Sequence, residues 1–215
     1  AYIEVRAISN IHHSSNLSMK IFVNLTEISN ETELRNMETT GNYVLTANIA
    51  LTGDWMPIDF TGVFDGDGYT ISNIHITNDD LYLGFFRHVD MATIKDVTMI
   101  GSIDSTTNSH QAEIGALAGR ITHSMVENVT IEFNISATSL NGVGKLGGVF
   151  GRIQNSNVST LSFTGSIDAE NFTTGGFAGR ADNPEKLSEI SGVDVVADIV
   201  VTGGEQSFSG GFIGY

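Results

Sequence analysis

The sequence predicts an all-β fold, a parallel β-solenoid of about five coils, and three observations carry that prediction. A glycine-rich motif recurs along the chain from about residue 82 onward. An alternating apolar motif recurs in phase with it. Proline, which removes an N–H that an inner strand needs, occurs only twice in 215 residues.

Residues 1–28 lack the repeat, and "AYIEVRAIS" and "LSMKIFVNL" within them alternate weakly. They read as two strands of a small segment preceding a solenoid that spans 29–215. "NETELRNME" (30–38) predicts the one clear helix, with Asn30 as its cap and Glu33 three positions later. Such a helix would cover the open end of the stack, with Leu34 and Met37 facing the first coil. "GNYVLTANIAL" (41–51) then reads as the first strand after the helix.

The repeat itself follows. "YLGFFRHV" (82–89), "IGALAGRI" (114–121), "LGGVFGRI" (146–153), "TGGFAGRA" (174–181) and "SGGFIGY" (209–215) align on Gly84, Ala116, Gly148, Gly176 and Gly211, at intervals of 32, 32, 28 and 35. Ala116 in that column indicates a need for smallness rather than positive φ. The second motif starts at Ile94, Val126, Val158 and Ile190, 32 residues apart each time, and "TISNIHI" (70–76) is an earlier copy. Within it Val97, Met99 and Ile103 align with Val129, Ile131 and Ile135, and so on through Ile199. A column that stays apolar while its neighbours vary is what stacked coils bury together. Rungs ~4.8 Å apart make a rod segment about 25 Å long, and parallel crossovers bias its winding to the right. Three stretches, 104–113, 136–145 and 181–189, read as projecting loops. The chain opens without a signal peptide and stops inside a motif copy, so it reads as mature, trimmed or cut from a larger protein.

The stretch "YVLTANIALTGDWMPIDFTGVFDGDGYTISNIHI", followed by "GALAGRI", "GGVFGRI" and "GGFAGR", resembles the GLUG-repeat family. The resemblance covers about residues 40–215, with Arg87 standing where later copies have glycine. Such repeats occur in bacterial and archaeal surface proteins, in adhesin-like proteins and in the N-terminal region of IgA-specific metallopeptidases. The likeness implies a β-helix and a secreted or surface location. No catalytic residue carries over, because the metallopeptidases use an HExxH helix that this chain lacks.

Candidate chemistry is sparse. With 25 acids against 10 bases and a net charge of -15, nucleic acid is excluded as a partner. No apolar run approaches the roughly 18 residues of a membrane span. Asp65 and Asp67 in "FDGDGYT" suggest a calcium loop, but the further acids of an EF-hand are missing. Six histidines show no ligand spacing, and no cofactor is implied. Asp104 and Asp168, equivalent and two coils apart, should stand about 10 Å from each other with Ser136 between, which is wide for a hydrolase pair. Seven Asn-x-Ser/Thr sequons, at Asn16, Asn24, Asn30, Asn128, Asn134, Asn157 and Asn171, fit a composition rich in Asn, Ser and Thr.

A basic column is the feature most open to function. His88, Arg120, Arg152, Arg180 and Tyr215 fall at equivalent places. The arginines either bind an anionic glycan or a partner's carboxylates, or pair with acids on adjoining loops such as Asp182 or Glu127. The expected role is a non-catalytic extracellular scaffold, a stalk or display segment of a cell-surface protein that meets a host or neighbouring-cell protein or glycan. Two rivals stand beside it: an accessory domain of a secreted protease or glycan-active enzyme, and a subunit that stacks end to end into filaments.

Overall fold

The computed structural model describes residues 2–6, 18–22, 24–182, 188–204 and 207–214. Strands β1 (Tyr2–Arg6) and β2 (Ser18–Phe22) pair antiparallel, as the two strands expected of the preceding segment. Next come β3 (Thr26–Ile28), helix α1 (Glu31–Arg35), β4 (Thr40–Leu45) and β5 (Ile49–Ala50). The helix is one turn long, shorter than the motif suggested. Asn30 Oδ1 accepts the Glu33 N–H at 3.0 Å, while the Glu33 carboxylate accepts the N–H of Ser29 at 2.7 Å. The reciprocal arm of the capping box is thus displaced by one residue. Leu34 and Met37 are buried and join the core, as expected.

From there the chain winds as a parallel solenoid. β6 (Ile58–Asp65), β7 (Thr70–Ile76) and β8 (Tyr82–Leu83) make the first turn, and β9 (Phe86–Asp90) closes it by stacking on the start of β6. β10 (Thr93–Thr107), β11 (Glu113–Gly115) and β12 (Ala118–Thr122) form the second. β13 (Met125–Ser139), β14 (Gly144–Gly147) and β15 (Phe150–Gln154) repeat it, as do β16 (Asn157–Glu170), β17 (Phe172–Gly175) and β18 (Ala178–Asp182). β19 (Ile190–Thr202) and β20 (Ser209–Gly210) complete the stack. The long face runs β10-β13-β16-β19, the second face β8-β11-β14-β17-β20, and the third β6-β9-β12-β15-β18. Ile94, Val126, Val158 and Ile190 stack directly upon one another. One core fills the interior from Ile28 to Ala178.

The long strands run past the apolar motif into the stretches read as loops. Alternation continues with Ser105, Thr107, Ala137 and Ser139, all buried, so only 108–112 and 140–143 leave the strands. Small polar residues fit because the backbone satisfies them: Ser105 Oγ donates to the Asn78 carbonyl at 2.9 Å. In the third stretch, residues 183–187 lie outside the described residues.

Two columns hold the corners. Asp96, Asn128, Thr160 and Gly192, 32 residues apart, all take a left-handed backbone with φ between 52° and 59°. Asn128 Nδ2 donates to Asp96 Oδ1 at 2.7 Å, one coil below. Threonine is the misfit there, since its branched Cβ crowds that conformation. At the opposite corner, Ser124 Oγ accepts the Ala92 N–H and Ser156 Oγ accepts the Ser124 N–H, at 3.0 and 3.2 Å. Each hydroxyl also donates to a carbonyl of its own coil.

The aligned glycines serve close approach, as their column implied. A Cβ on Gly148 would collide with the Gly176 carbonyl of the next coil, and φ there is not positive. The departure at Arg87 has a cause of the same kind. Its equivalent, Gly119, backs onto Tyr82 and Leu83 of the coil below, whereas β8 is the first strand of its face and leaves Arg87 room.

Two substitutions test these corners. Ser156→Ala strands the buried Ser124 N–H and should cost about 1–3 kcal/mol in urea unfolding. Thr160→Asn should raise stability by about 1 kcal/mol, by relieving the strained backbone and extending the Asp96–Asn128 ladder. A lower midpoint for Thr160→Asn would count against the strain assignment.

Candidate functional site: a charged ladder between two faces

Two-residue turns at Ala116–Leu117, Gly148–Val149 and Gly176–Phe177 join the second face to the third. Their approach is close: a Cβ at Gly119 would strike the Glu113 carbonyl oxygen. Two columns of side chains meet along this seam. Tyr82, Glu113, Lys145 and Thr173 stack on the second face. His88, Arg120, Arg152 and Arg180 stack on the third. The register therefore brings the three sequence-predicted arginines together in one line, with His88 at its start. Tyr215, the last predicted member, lies outside the described residues.

Carboxylates bridge the coils of this ladder. Glu113, only 2% exposed, grips Arg120 with both oxygens at 2.6 Å and stands 3.6 Å from Arg152 Nη1. Asp182 binds Arg152 Nε at 2.5 Å and Arg180 Nε at 2.8 Å. Of the two acids suggested by sequence, Asp182 is a partner, while Glu113 takes the place proposed for Glu127. The Glu113 hydrogen bonds raise the Arg120 pKa above its already high ordinary value, outweighing burial. The Arg120 guanidinium also lies 4.5 Å from the centre of the Tyr82 ring.

At the N-terminal end the ladder opens into a pocket of about 340 Å³ lined by Asp59, Asp80, Leu81, Tyr82, Arg87 and His88. Arg87 forms a two-pronged pair with Asp59, at 2.9 and 2.8 Å, which holds that carboxyl below its usual range.

The other sequence candidates are placed as follows. Asp65 is buried, and its carboxylate meets Lys95 Nζ at 2.5 Å and accepts the Asp67 N–H at 3.0 Å. An ammonium thus occupies the position a calcium ion would take against Asp65, and Asp67 is exposed. Among the described residues no three His, Asp or Glu side chains converge as metal ligands. Asp104, Ser136 and Asp168 are in register, as their spacing required.

The structure also assembles a group the sequence did not nominate. His75 Nδ1 lies 2.9 Å from Ser102 Oγ and 4.0 Å from Asp104 Oδ2, beside a shallow concavity of about 520 Å³. A proton relay needs one ring nitrogen for each partner. Here the same nitrogen faces both, so this trio is not a relay.

Glu113 and Lys145 also escaped sequence reasoning. The available signal was the seven-residue spacing Glu113–Arg120, repeated as Lys145–Arg152 and Thr173–Arg180. Glu113→Gln leaves Arg120 without its counter-ion and should destabilise the chain by about 1–3 kcal/mol, read as a lower urea midpoint. An unchanged midpoint would show that the bridge contributes nothing to stability.

No protein-family model matches the chain, and no curated protein matches it. Among solved structures, it is similar to a Bacteroides ovatus protein provisionally named an immunoglobulin A1 protease. The two share 18% identity with a TM-score of 0.48, over 88% of this chain and 70% of that one.

Proposed function

We propose that this chain is a non-catalytic extracellular scaffold, a stalk or display segment of a cell-surface protein. The observation that supports this most is how its charged side chains are used. Glu113 and Asp182 join successive coils, and Arg87–Asp59 and Lys95–Asp65 do the same lower in the stack. Charge spent on linking one coil to the next serves rigidity, since stability in a solenoid is a sum of nearest-neighbour terms. The acidic balance, -15 over 215 residues, favours solubility of a rod held away from other surfaces. The resemblance to GLUG repeats points the same way.

The test is protease shaving of intact cells that make the protein. Peptides from the exposed turns at 108–112 and 140–143 should appear in the medium before lysis. Release only after lysis would overturn the surface assignment.

A further inference from the structure

The charged ladder contains one cation that ion pairing between coils does not explain. Reading upward, the facing pairs are Tyr82/His88, Glu113/Arg120, Lys145/Arg152 and Thr173/Arg180. Glu113 opposite Arg120 is the arrangement a stabilising ladder calls for. Lys145 opposite Arg152 is its reverse, a cation facing a cation. Among the described residues, the two carboxylates that reach this ladder are already engaged, Glu113 by Arg120 and Asp182 by Arg152 and Arg180. Among the described residues, no carboxylate lies within salt-bridge distance of the Lys145 ammonium. Burial holds that ammonium below its ordinary pKa; the Glu113 carboxylate works against this, and the charges of Arg180, Arg152 and Arg120 add to it. Four of the chain's ten lysines and arginines thus share one seam of a strongly acidic protein.

We propose that the Lys145/Arg152 rung, flanked by Arg120, binds the sulfate or carboxylate groups of an acidic polysaccharide lying along the ladder. A guanidinium fork and an ammonium from opposite sides suit one oxyanion, which would give the Lys145 ammonium the counter-charge that no described carboxylate supplies, while Arg152 keeps its contact with Asp182. The form of the surface selects a polymer. Rungs recur at ~4.8 Å, so Lys145 lies about 10 Å from the Tyr82 rung, where the pocket opens. That pocket offers the Asp80 carboxylate and the His88 ring to sugar hydroxyls, beside the apolar Leu81 and Tyr82. A chain of sugars spanning both places would use the seam's length as a small anion cannot.

This inference does not depend on the scaffold reading, because it is tested on purified protein rather than on cells. Binding of a heparin octasaccharide is measured by calorimetry, with inorganic sulfate and a glutamate octapeptide as competitors. Lys145→Met should weaken octasaccharide binding about tenfold, the loss of one charge-assisted contact. Lys145→Glu should abolish binding while raising the melting temperature, because it replaces an unpaired, half-buried ammonium with a carboxylate opposite Arg152. Binding within twofold of wild type in both variants overturns the proposal, as does no octasaccharide binding by the wild-type protein. Displacement by sulfate or by the peptide at concentrations matching the octasaccharide would also overturn it, in favour of a free-anion or acidic-protein site.

Discussion

Parallel stacking in register is the constraint on which everything else in this molecule depends. Each coil donates its backbone hydrogen bonds to the next, so each must present the same residue count along its faces. The long face obeys this strictly, with Ile94, Val126, Val158 and Ile190 in one line. A slip of one residue would turn every inward side chain outward. Corners therefore need fixed chemistry: left-handed residues at both, joined at one of them by a serine hydroxyl between coils. Variation in length is confined to places outside the paired strands. Between β16 and β17 the connection shrinks to Asn171 alone, and the longer stretch before β19 restores the period.

The same register explains why charge on this protein is arranged in lines. Any residue at a given face position acquires neighbours one coil above and below, whatever its distance along the chain. Three arginines placed this way would repel one another. Glu113 and Asp182 relieve most of that repulsion by each serving two coils. Among the described residues Lys145 has no carboxylate within salt-bridge distance, which sets it apart from the arginines it faces.

Much of the fold was legible in the sequence because solenoid packing makes equivalent positions recur at equal spacing. The apolar columns, the capping helix and the smallness of the Gly148 column were all readable on that basis. The left-handed corner was equally periodic, but Asp96, Asn128, Thr160 and Gly192 share a conformation rather than a polarity. Strand ends are illegible where buried positions become serine and threonine, since hydropathy no longer distinguishes inside from outside there. The arginine column could be read, but its chief partner could not. Glu113 reaches Arg120 only because a tight turn folds two faces together, and alternation along a strand says nothing about the angle between strands. His75, Ser102 and Asp104 met for a similar reason, across neighbouring coils.

The equal spacing of the long strands has a consequence for inheritance. The interface between β10 and β13 is built from the same positions as that between β13 and β16. Removing or duplicating one such unit of 32 residues rejoins surfaces that already match. Unequal recombination within the gene would then change the rod's reach in discrete steps without requiring a new core. Point mutation would meanwhile remain free to redecorate each outward column, one rung at a time.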